Sequence, residues 1–228
     1  MRGGRMNLRE RVEHYRASEF GRRFPASIPF VAADERLYAT WILGNDYRSI
    51  TGFHGSYPPA YLRRMAALFP EDVPTMHLFA GSLPQGPYVR VDSKRDEQRS
   101  PDVLADAREL GKHFAPRTFR KVYADPPYTK EDGHIYGTGA PPRPKLVFAE
   151  LAKVVDVGGH VIWMDTTHPM CRSAEGNPDR EWSLIGAITL IRSSNHRYRV
   201  VSLWERVEPT RRAAAVAAEE DAACSSTS

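Results

Sequence analysis

The sequence predicts an α/β fold built on a mostly parallel sheet. Short β-branched or aromatic runs alternate with helical or turn-rich segments through the middle of the chain, which is the usual pattern of strands and crossovers. Two alternating runs near the end, Gly186–Arg192 and Arg197–Trp204, are joined by four turn-forming residues and predict a closing antiparallel hairpin. With 41% hydrophobic residues, the 228-residue chain can bury a core of ordinary size.

The elements before that hairpin follow from the same patterns. A patchy helical pattern spans Leu8–Phe20. The predicted strands are Met76–Phe79, Tyr88–Val91, Val103–Ala105, Lys121–Ala124 and His160–Met164. The predicted helices are Pro58–Leu68, part of Ala105–Phe114, and Pro144–Val155, which Gly158 and Gly159 end. The link between the first two strands is short for a parallel crossover, which needs about a dozen residues, so either this link is unusual or one strand is displaced.

Composition divides the chain into three parts. A basic N-terminal arm over residues 1–24 carries seven arginines against three glutamates. The main domain covers residues 25–207, and residues 208–228 are predicted to be a disordered tail. The arm is expected either to contact phosphate groups or to form a solvated helix. In both cases its few apolar residues predict a small contribution to the core.

Charge and cysteine content exclude several classes of protein. Lys and Arg exceed Asp and Glu by four, which permits a polyanionic partner without requiring one. Cys171 and Cys224 are the only cysteines, too few for a disulfide framework or a four-cysteine zinc site. No apolar run approaches the ~20 residues that cross a bilayer. We therefore expect a soluble, cytoplasmic protein without a membrane partner, and the sequence leaves its oligomeric state open.

The segment Lys121–Thr129, KVYADPPYT, carries the most specific chemistry. An apolar strand leads into Asp125, and the two prolines that follow fix an extended turn. The Asp125 carboxylate and the Pro126 carbonyl then offer two acceptors at the ligand-binding edge of the sheet. Two acceptors suit the two hydrogens of an exocyclic amine, and Tyr128 offers a flat face on which a base can stack.

These residues also carry a family resemblance. Asp125-Pro126-Pro127-Tyr128 resembles the DPPY motif of amino-group methyltransferases, the S-adenosylmethionine-dependent enzymes that methylate exocyclic nitrogens of nucleic-acid bases. Upstream, Leu78–Ser82 resembles the FAGS core of their methyl-donor loop, and Phe53–Pro59 is similar to the segment before that loop. The resemblance covers about residues 50–206 and implies a Rossmann-like class I methyltransferase fold.

The resemblance implies a set of site residues. The catalytic residues would be Asp125, Pro126, Pro127 and Tyr128. The residues that bind S-adenosyl-L-methionine would be His54, Tyr57, Pro58, Phe79, Ala80, Gly81, Ser82, Asp92 and Asp106. Within this set, Asp92 would accept the donor's ribose hydroxyls and Asp106 would lie near its adenine amine. No metal is implied. The sequence departs from the family where Leu83–Pro87 replaces the helix that usually follows the donor loop.

The expected function is methylation of an exocyclic amine of a base extruded from nucleic acid, preferably N6 of adenine in DNA. Three alternatives stay open: an adenine or guanine amine of RNA, a protein glutamine amide, and a non-catalytic nucleic-acid-binding relative with the altered donor loop as its defect. Asp125 argues against the glutamine amide, because the enzymes that methylate that amide use a similar motif with Asn in place of this Asp. The Gly- and Pro-rich segment Gly133–Pro144 is predicted to be a substrate-gating loop or an inert surface loop.

Overall fold

The computed structural model describes residues 6–43, 57–58, 60–94, 100–128, 141–169, 181–192 and 197–208. Within these ranges the strands form one sheet with a buried core on each face. The strands are β1 (Phe30–Val31), β2 (Leu37–Leu43), β3 (Thr75–Leu78), β4 (Val89–Asp92), β5 (Val103–Leu104), β6 (Phe119–Ala124), β7 (Val155–Asp165), β8 (Trp182–Arg192) and β9 (Arg197–Arg206). Their order across the sheet is β1-β2-β8-β9-β7-β6-β3-β4-β5.

Parallel pairing predominates in this sheet. β2 is parallel to β8, and β7, β6, β3, β4 and β5 are parallel neighbours in that order. β9 lies between β7 and β8, antiparallel to both, and the short β1 is antiparallel to β2. The predicted α/β class with a mostly parallel sheet is therefore confirmed.

The sequence predicted that the C-terminal pair, β8 and β9, closes the sheet. In the structure this pair lies inside the sheet and not at its border. β2 pairs with β8 along its whole length, from Leu37 opposite Gly186 to Leu43 opposite Arg192, and β1 extends the sheet by a further strand. The sequence prediction contained neither β1 nor β2. The predicted turn between β8 and β9, residues 193–196, lies outside the described residues.

Four α-helices occur in the described ranges: α1 (Leu8–Ala17), α2 (Glu19–Arg23), α3 (Tyr61–Leu68) and α4 (Pro144–Val154). α4 begins with Pro144 at its first position, where the missing N–H costs no helical hydrogen bond. Phe148 on α4 packs against the rings of Trp163 and Trp204 on one face of the sheet. The helix predicted within Ala105–Phe114 is reduced to one 3₁₀ turn, Leu110–Lys112.

The link between β3 and β4 is unusual, and both predicted strands lie where the sequence placed them to within one residue. Residues 79–88 contain no helix, yet Met76 pairs with Val89 and Leu78 with Val91 in parallel register. Phe79 begins the link with a left-handed φ of 60°, and Gly81 follows with φ 49°. The chain therefore turns back tightly within a few residues. A regular crossover helix would not fit in so short a segment.

The N-terminal segment is part of the core. Asn7 caps α1 in a reciprocal capping box with Glu10. The fully buried Arg11 donates to the Leu68 carbonyl at 3.3 Å and to Glu71, and Tyr15 stacks on Trp41 with 5.5 Å between ring centroids. The expectation that residues 1–24 contribute little to the core is therefore wrong for the part from α1 to α2.

None of the helices in the described ranges combines the length and the apolar character that a membrane crossing requires.

Candidate functional site

The candidate site lies where the order of strands reverses. From β3 the chain continues to β4 and β5 on one side, and then returns to β6 and β7 on the other. Ligands of open α/β sheets bind outside the carboxyl ends of the strands at such a reversal. Leu78 and Ala124 are paired at the ends of β3 and β6. The segments Phe79–Ser82 and Asp125–Tyr128 therefore leave the sheet side by side.

Asp92, at the end of β4, holds the loop that follows β3. Its carboxylate accepts the Gly81 N–H at 2.9 Å and the Lys94 N–H at 3.2 Å. The Ala80 N–H donates to the Val91 carbonyl at 3.1 Å. Because a bulky residue in the left-handed region is strained, the conformation of Phe79 depends on these contacts. The tight loop and the acid on the next strand thus form one structural unit.

A cavity of about 400 Å³ opens at the carboxyl ends of β3, β4, β5 and β6. Four residues predicted for the site line it, namely Phe79, Asp92, Asp106 and Pro127. Pro141, Pro142, Arg143 and Leu146, at and before the start of α4, form another wall. The volume falls in the range of ligand-binding clefts. Ala80, Gly81 and Ser82 are not among the described residues that line this cavity, so the structure brings them beside it and not into its wall.

Asp106 reaches the cavity as half of an ion pair. Its carboxylate accepts the Arg108 main-chain N–H at 2.8 Å and the Arg108 Nε–H at 2.9 Å. The hydrogen bonds from Arg108 hold the pKa of Asp106 below its ordinary value. Any ligand amine that approaches Asp106 therefore meets a carboxylate that is already ionised and partly occupied.

Asp125 and Tyr128 contact each other directly. The Tyr128 hydroxyl donates a hydrogen bond to Asp125 Oδ1, and both side chains are half-buried. Burial, and after it the negative charge of Asp125, raises the pKa of Tyr128 far above its usual range. Tyr128 is therefore a neutral phenol at every physiological pH. Pro126 and Pro127 between them are buried, so this turn is held firmly against the sheet.

Tyr57 lies near the same turn. Its hydroxyl lies 3.1 Å from His77 Nδ1, and its ring stacks on Tyr61 at 5.5 Å. Burial raises the pKa of Tyr57, and the nearby charge of Asp125 raises it further. Pro58, also predicted for the site, is buried and accepts the Tyr61 N–H at 3.0 Å. His54 lies outside the described residues, as does most of the predicted gating loop.

Sequence reasoning missed His77, Arg108 and Arg199 at this site. His77 lies on β3 between the buried Met76 and Leu78, so strand alternation alone predicts that it faces the other side of the sheet. Its ring stacks on Tyr123 at 4.8 Å. Arg199 lies on β9, and its guanidinium carbon is 4.3 Å from the centre of the Tyr128 ring. No local sequence signal joins it to Tyr128.

The buried His77 makes stability depend on pH. Burial, and to a lesser degree the charge of Lys121, lowers its pKa to about 4 from an ordinary 6.5. The unfolded chain therefore binds the proton first as the pH falls. The stabilisation is present above pH 6.5, and roughly 3 kcal/mol is lost as the pH falls to about 4.

Urea unfolding at a series of pH values measures this loss. His77→Phe keeps an aromatic ring beside Tyr123 but does not titrate, so its free energy of unfolding should fall less steeply in that window. His113→Gln removes an exposed histidine and should keep the wild-type dependence. An equal slope in wild type and His77→Phe would contradict the prediction.

Within the described residues, no group of three or more His, Cys, Asp or Glu side chains could hold a metal ion.

Comparisons with known proteins assign no family. No family model matches the sequence, and no curated protein matches it. Among solved structures, the chain is similar to the crystal structure of PH0851, with 16% sequence identity and a TM-score of 0.36. The alignment covers 58% of this chain and 42% of that one.

Proposed function

We propose that this chain is an S-adenosylmethionine-dependent methyltransferase that acts on an exocyclic amine of a nucleic-acid base, with N6 of adenine in DNA as the preferred acceptor. The observation that carries the proposal is the position of Asp125–Tyr128, which leave β6 at the reversal of strand order beside a cavity with two further aspartates at strand ends. A DPPY sequence elsewhere in the chain would have little meaning.

The strand order supports a class I methyltransferase fold for this chain. In that fold a single reversed strand lies between two parallel ones near the C-terminus, which is the arrangement of β7, β9 and β8. The donor loop would follow β3, and the acids would follow β4 and β5. The missing helix between β3 and β4 is the main departure, and the bond from Gly81 to Asp92 takes over its role of fixing the loop.

The residues around the cavity fit the donor. Phe79, Pro127 and Leu146 offer apolar walls for an adenine ring, and Asp92 offers a carboxylate for ribose hydroxyls. A carboxylate has about four acceptor positions, and among the described residues Asp92 accepts from Gly81 and Lys94. It can therefore still accept from a ligand. When bound, S-adenosylmethionine supplies an electrophilic methyl group, so the protein needs no metal or covalent intermediate.

The acceptor side uses Asp125 and the Pro126 carbonyl. One hydrogen of the amine would bind Asp125 and the other the carbonyl, which orients the nitrogen lone pair and raises its electron density. Because Asp125 Oδ1 already accepts from Tyr128, the amine would share that carboxylate with the phenol. The Tyr128 ring would lie beside the base plane. The nitrogen would bond to the methyl carbon as that carbon's bond to the donor's sulfur breaks, and the methylated nitrogen would then lose its extra proton to Asp125 or to water, so no strong base is required.

The direct test incubates the protein with isotopically labelled donor and either duplex DNA, single-stranded DNA or RNA. The nucleic acid is then digested, and the methylated nucleoside is identified by mass spectrometry. Labelled N6-methyl-2′-deoxyadenosine in the DNA samples would support the preferred acceptor, and label only in RNA would assign the RNA alternative. Donor binding without label in any nucleic acid overturns the proposed reaction. A chain that binds nucleic acid but gives no calorimetric heat with the donor is the non-catalytic relative.

Asp92→Ala is expected to reduce donor affinity by more than about tenfold, because hydrogen bonds to a carboxylate are strong and the loop that Asp92 holds also loses its anchor. Calorimetric titration with S-adenosylmethionine measures the change. Asp92→Asn keeps an acceptor for the Gly81 N–H and separates loop support from charge. Asp72→Ala, an exposed aspartate at the opposite edge of the sheet, should bind the donor normally. Unchanged affinity in Asp92→Ala would place the donor elsewhere.

A further inference from the structure

Four aromatic side chains pack in a row against one face of the sheet. The Tyr61 ring stacks on Tyr57 with 5.5 Å between centroids, and the rings of Tyr57 and His77 meet edge to face at 5.6 Å. His77 in turn stacks on Tyr123 at 4.8 Å. The Tyr57 hydroxyl lies 3.1 Å from His77 Nδ1, which is hydrogen-bond distance. Two rings and one polar contact to β3 therefore hold Tyr57 in place.

The register of the sheet brings this row next to Asp125. His77 lies opposite Tyr123 in the parallel pairing of β3 with β6, and Tyr123 and Ala124 face the cores on opposite sides of the sheet. Because side chains alternate along a strand and a residue before a proline stays extended, Asp125 continues on the side of Tyr123. The pKa of Tyr57 agrees with this placement, since burial raises it and the negative charge of Asp125 raises it further.

The cavity that Phe79 and Asp92 line opens towards the other face of the sheet. Its wall includes Leu78 and Ala105, which belong to the core beneath α4. Tyr57 packs against the opposite core, and it is not among the described residues that line this cavity. The sheet therefore lies between Tyr57 and the cavity proposed for the donor, and Tyr57 adjoins the turn after β6 instead.

Tyr57 and His77 are both uncharged at neutral pH. Burial keeps the pKa of Tyr57 well above its usual range, and burial, with a smaller effect of Lys121, lowers the pKa of His77 to about 4. Neither group therefore brings a positive charge that would compete with an acceptor amine for Asp125. What the pair supplies at this place is packing and one hydrogen bond.

We propose that Tyr57 is a positioning residue of the acceptor site and not a donor-binding residue: held by His77, it fixes the turn after β6 so that Asp125 lies where the acceptor amine meets its carboxylate. This proposal rests on the proposed function, because it assumes that Asp125 receives the amine. Tyr57 itself does not touch the amine, and its effect passes through Asp125. The family resemblance assigned Tyr57 to the donor, so the two assignments predict different kinetic effects.

Removal of one hydroxyl tests this role. Tyr57→Phe should slow single-turnover methyl transfer at saturating donor roughly 2- to 10-fold, the range expected for the net loss of one hydrogen bond. The affinity for S-adenosylmethionine should stay unchanged. His77→Phe should cause a loss of similar size. The double variant should lose no more than either single variant, because both changes remove the same hydrogen bond.

Tyr38→Phe is the matched control for this cycle. It removes a tyrosine hydroxyl that donates to Asp34 at 2.7 Å, next to β2, and it should keep the wild-type transfer rate. An unchanged rate in Tyr57→Phe, or additive losses in the double variant, overturns the proposal. A fall in donor affinity with a normal rate at saturating donor also overturns it and returns Tyr57 to the donor site.

A second measurement does not depend on activity. In fluorotyrosine-labelled protein, the Tyr57 signal among the ten tyrosines is assigned by its absence in Tyr57→Phe. Asp125→Asn removes a charge beside Tyr57 and should shift this fluorine resonance, whereas Asp72→Asn, at an exposed position, should not. An unmoved resonance in Asp125→Asn overturns the placement of Tyr57 beside Asp125. A shifted resonance in a protein that methylates no nucleic acid overturns the proposed function and leaves this placement established.

Discussion

Replacing Asp125 with alanine is expected to reduce methyl transfer by at least about a hundredfold, while donor affinity stays within about threefold of the wild-type value. Asp125 follows β6 and contacts Tyr128. It does not line the cavity that Asp92 and Asp106 line. Its loss should therefore affect the acceptor amine and leave the donor in place. Single-turnover transfer of labelled methyl groups, with calorimetric titration of the donor, measures both quantities.

Three variants make this result specific to the carboxylate. Asp125→Asn keeps one acceptor oxygen and should retain more activity than Asp125→Ala. Tyr128→Phe removes the hydroxyl that donates to Asp125 but keeps the ring, so its effect should be mild. Asp72→Ala removes a distant, exposed aspartate and should be silent. Near-normal turnover by Asp125→Ala would show that the assigned chemistry is wrong.

The position of Asp125–Tyr128 could be predicted because it depends on local sequence. An apolar run followed by two prolines must leave the sheet in an extended turn, and β6 ends at Ala124 as expected. Asp92 was likewise predicted at a strand end. What local sequence could not show is that the Asp92 carboxylate accepts from Gly81, or that Arg199 covers Tyr128. Those contacts join residues far apart in the chain, and only the strand order brings them together.

β2 was missed for a different reason. Its buried residues, Leu37, Ala39, Trp41 and Leu43, alternate as a strand with one buried face requires. On the other face, however, the apolar Ile42 is 73% exposed, which obscures the alternation. β2 pairs with β8, which follows it by well over a hundred residues, so no neighbouring strand indicated its partner.

The N-terminal segment shows the limit of reasoning from charge. A count of arginines and glutamates suggested a solvated arm, but arginines differ in environment within the same helix. Arg9 has a side chain that is 71% exposed, whereas Arg11 is buried against Glu71 and the Phe69 ring. A buried arginine needs a partner that excludes water, and that partner follows it by sixty residues. The count of charges alone therefore could not distinguish the buried Arg11 from the exposed Arg9.

Removal of residues 1–23 is expected to unfold the protein. Deletion would expose Trp41 and Leu68, and would leave Glu71 and the buried Arg64 without Arg11 and Tyr15 as neighbours. Tyr15→Ala alone should lower the free energy of unfolding by roughly 3 to 5 kcal/mol, as large-to-small changes of buried aromatic residues do. That is a large share of the stability of an ordinary domain.

Urea unfolding followed by tryptophan fluorescence measures the effect, because Trp41 lies directly against Tyr15. Arg9→Ala serves as the matched control: it lies on the same helix, its side chain is mostly exposed, and it should change stability by no more than about 0.5 kcal/mol. If the truncated chain instead gives a cooperative transition at the wild-type urea concentration, α1 and α2 are accessory to the core. Any loss of nucleic-acid binding on truncation would then belong to their exposed arginines, since each phosphate contact contributes about 0.9 to the salt dependence on duplex DNA.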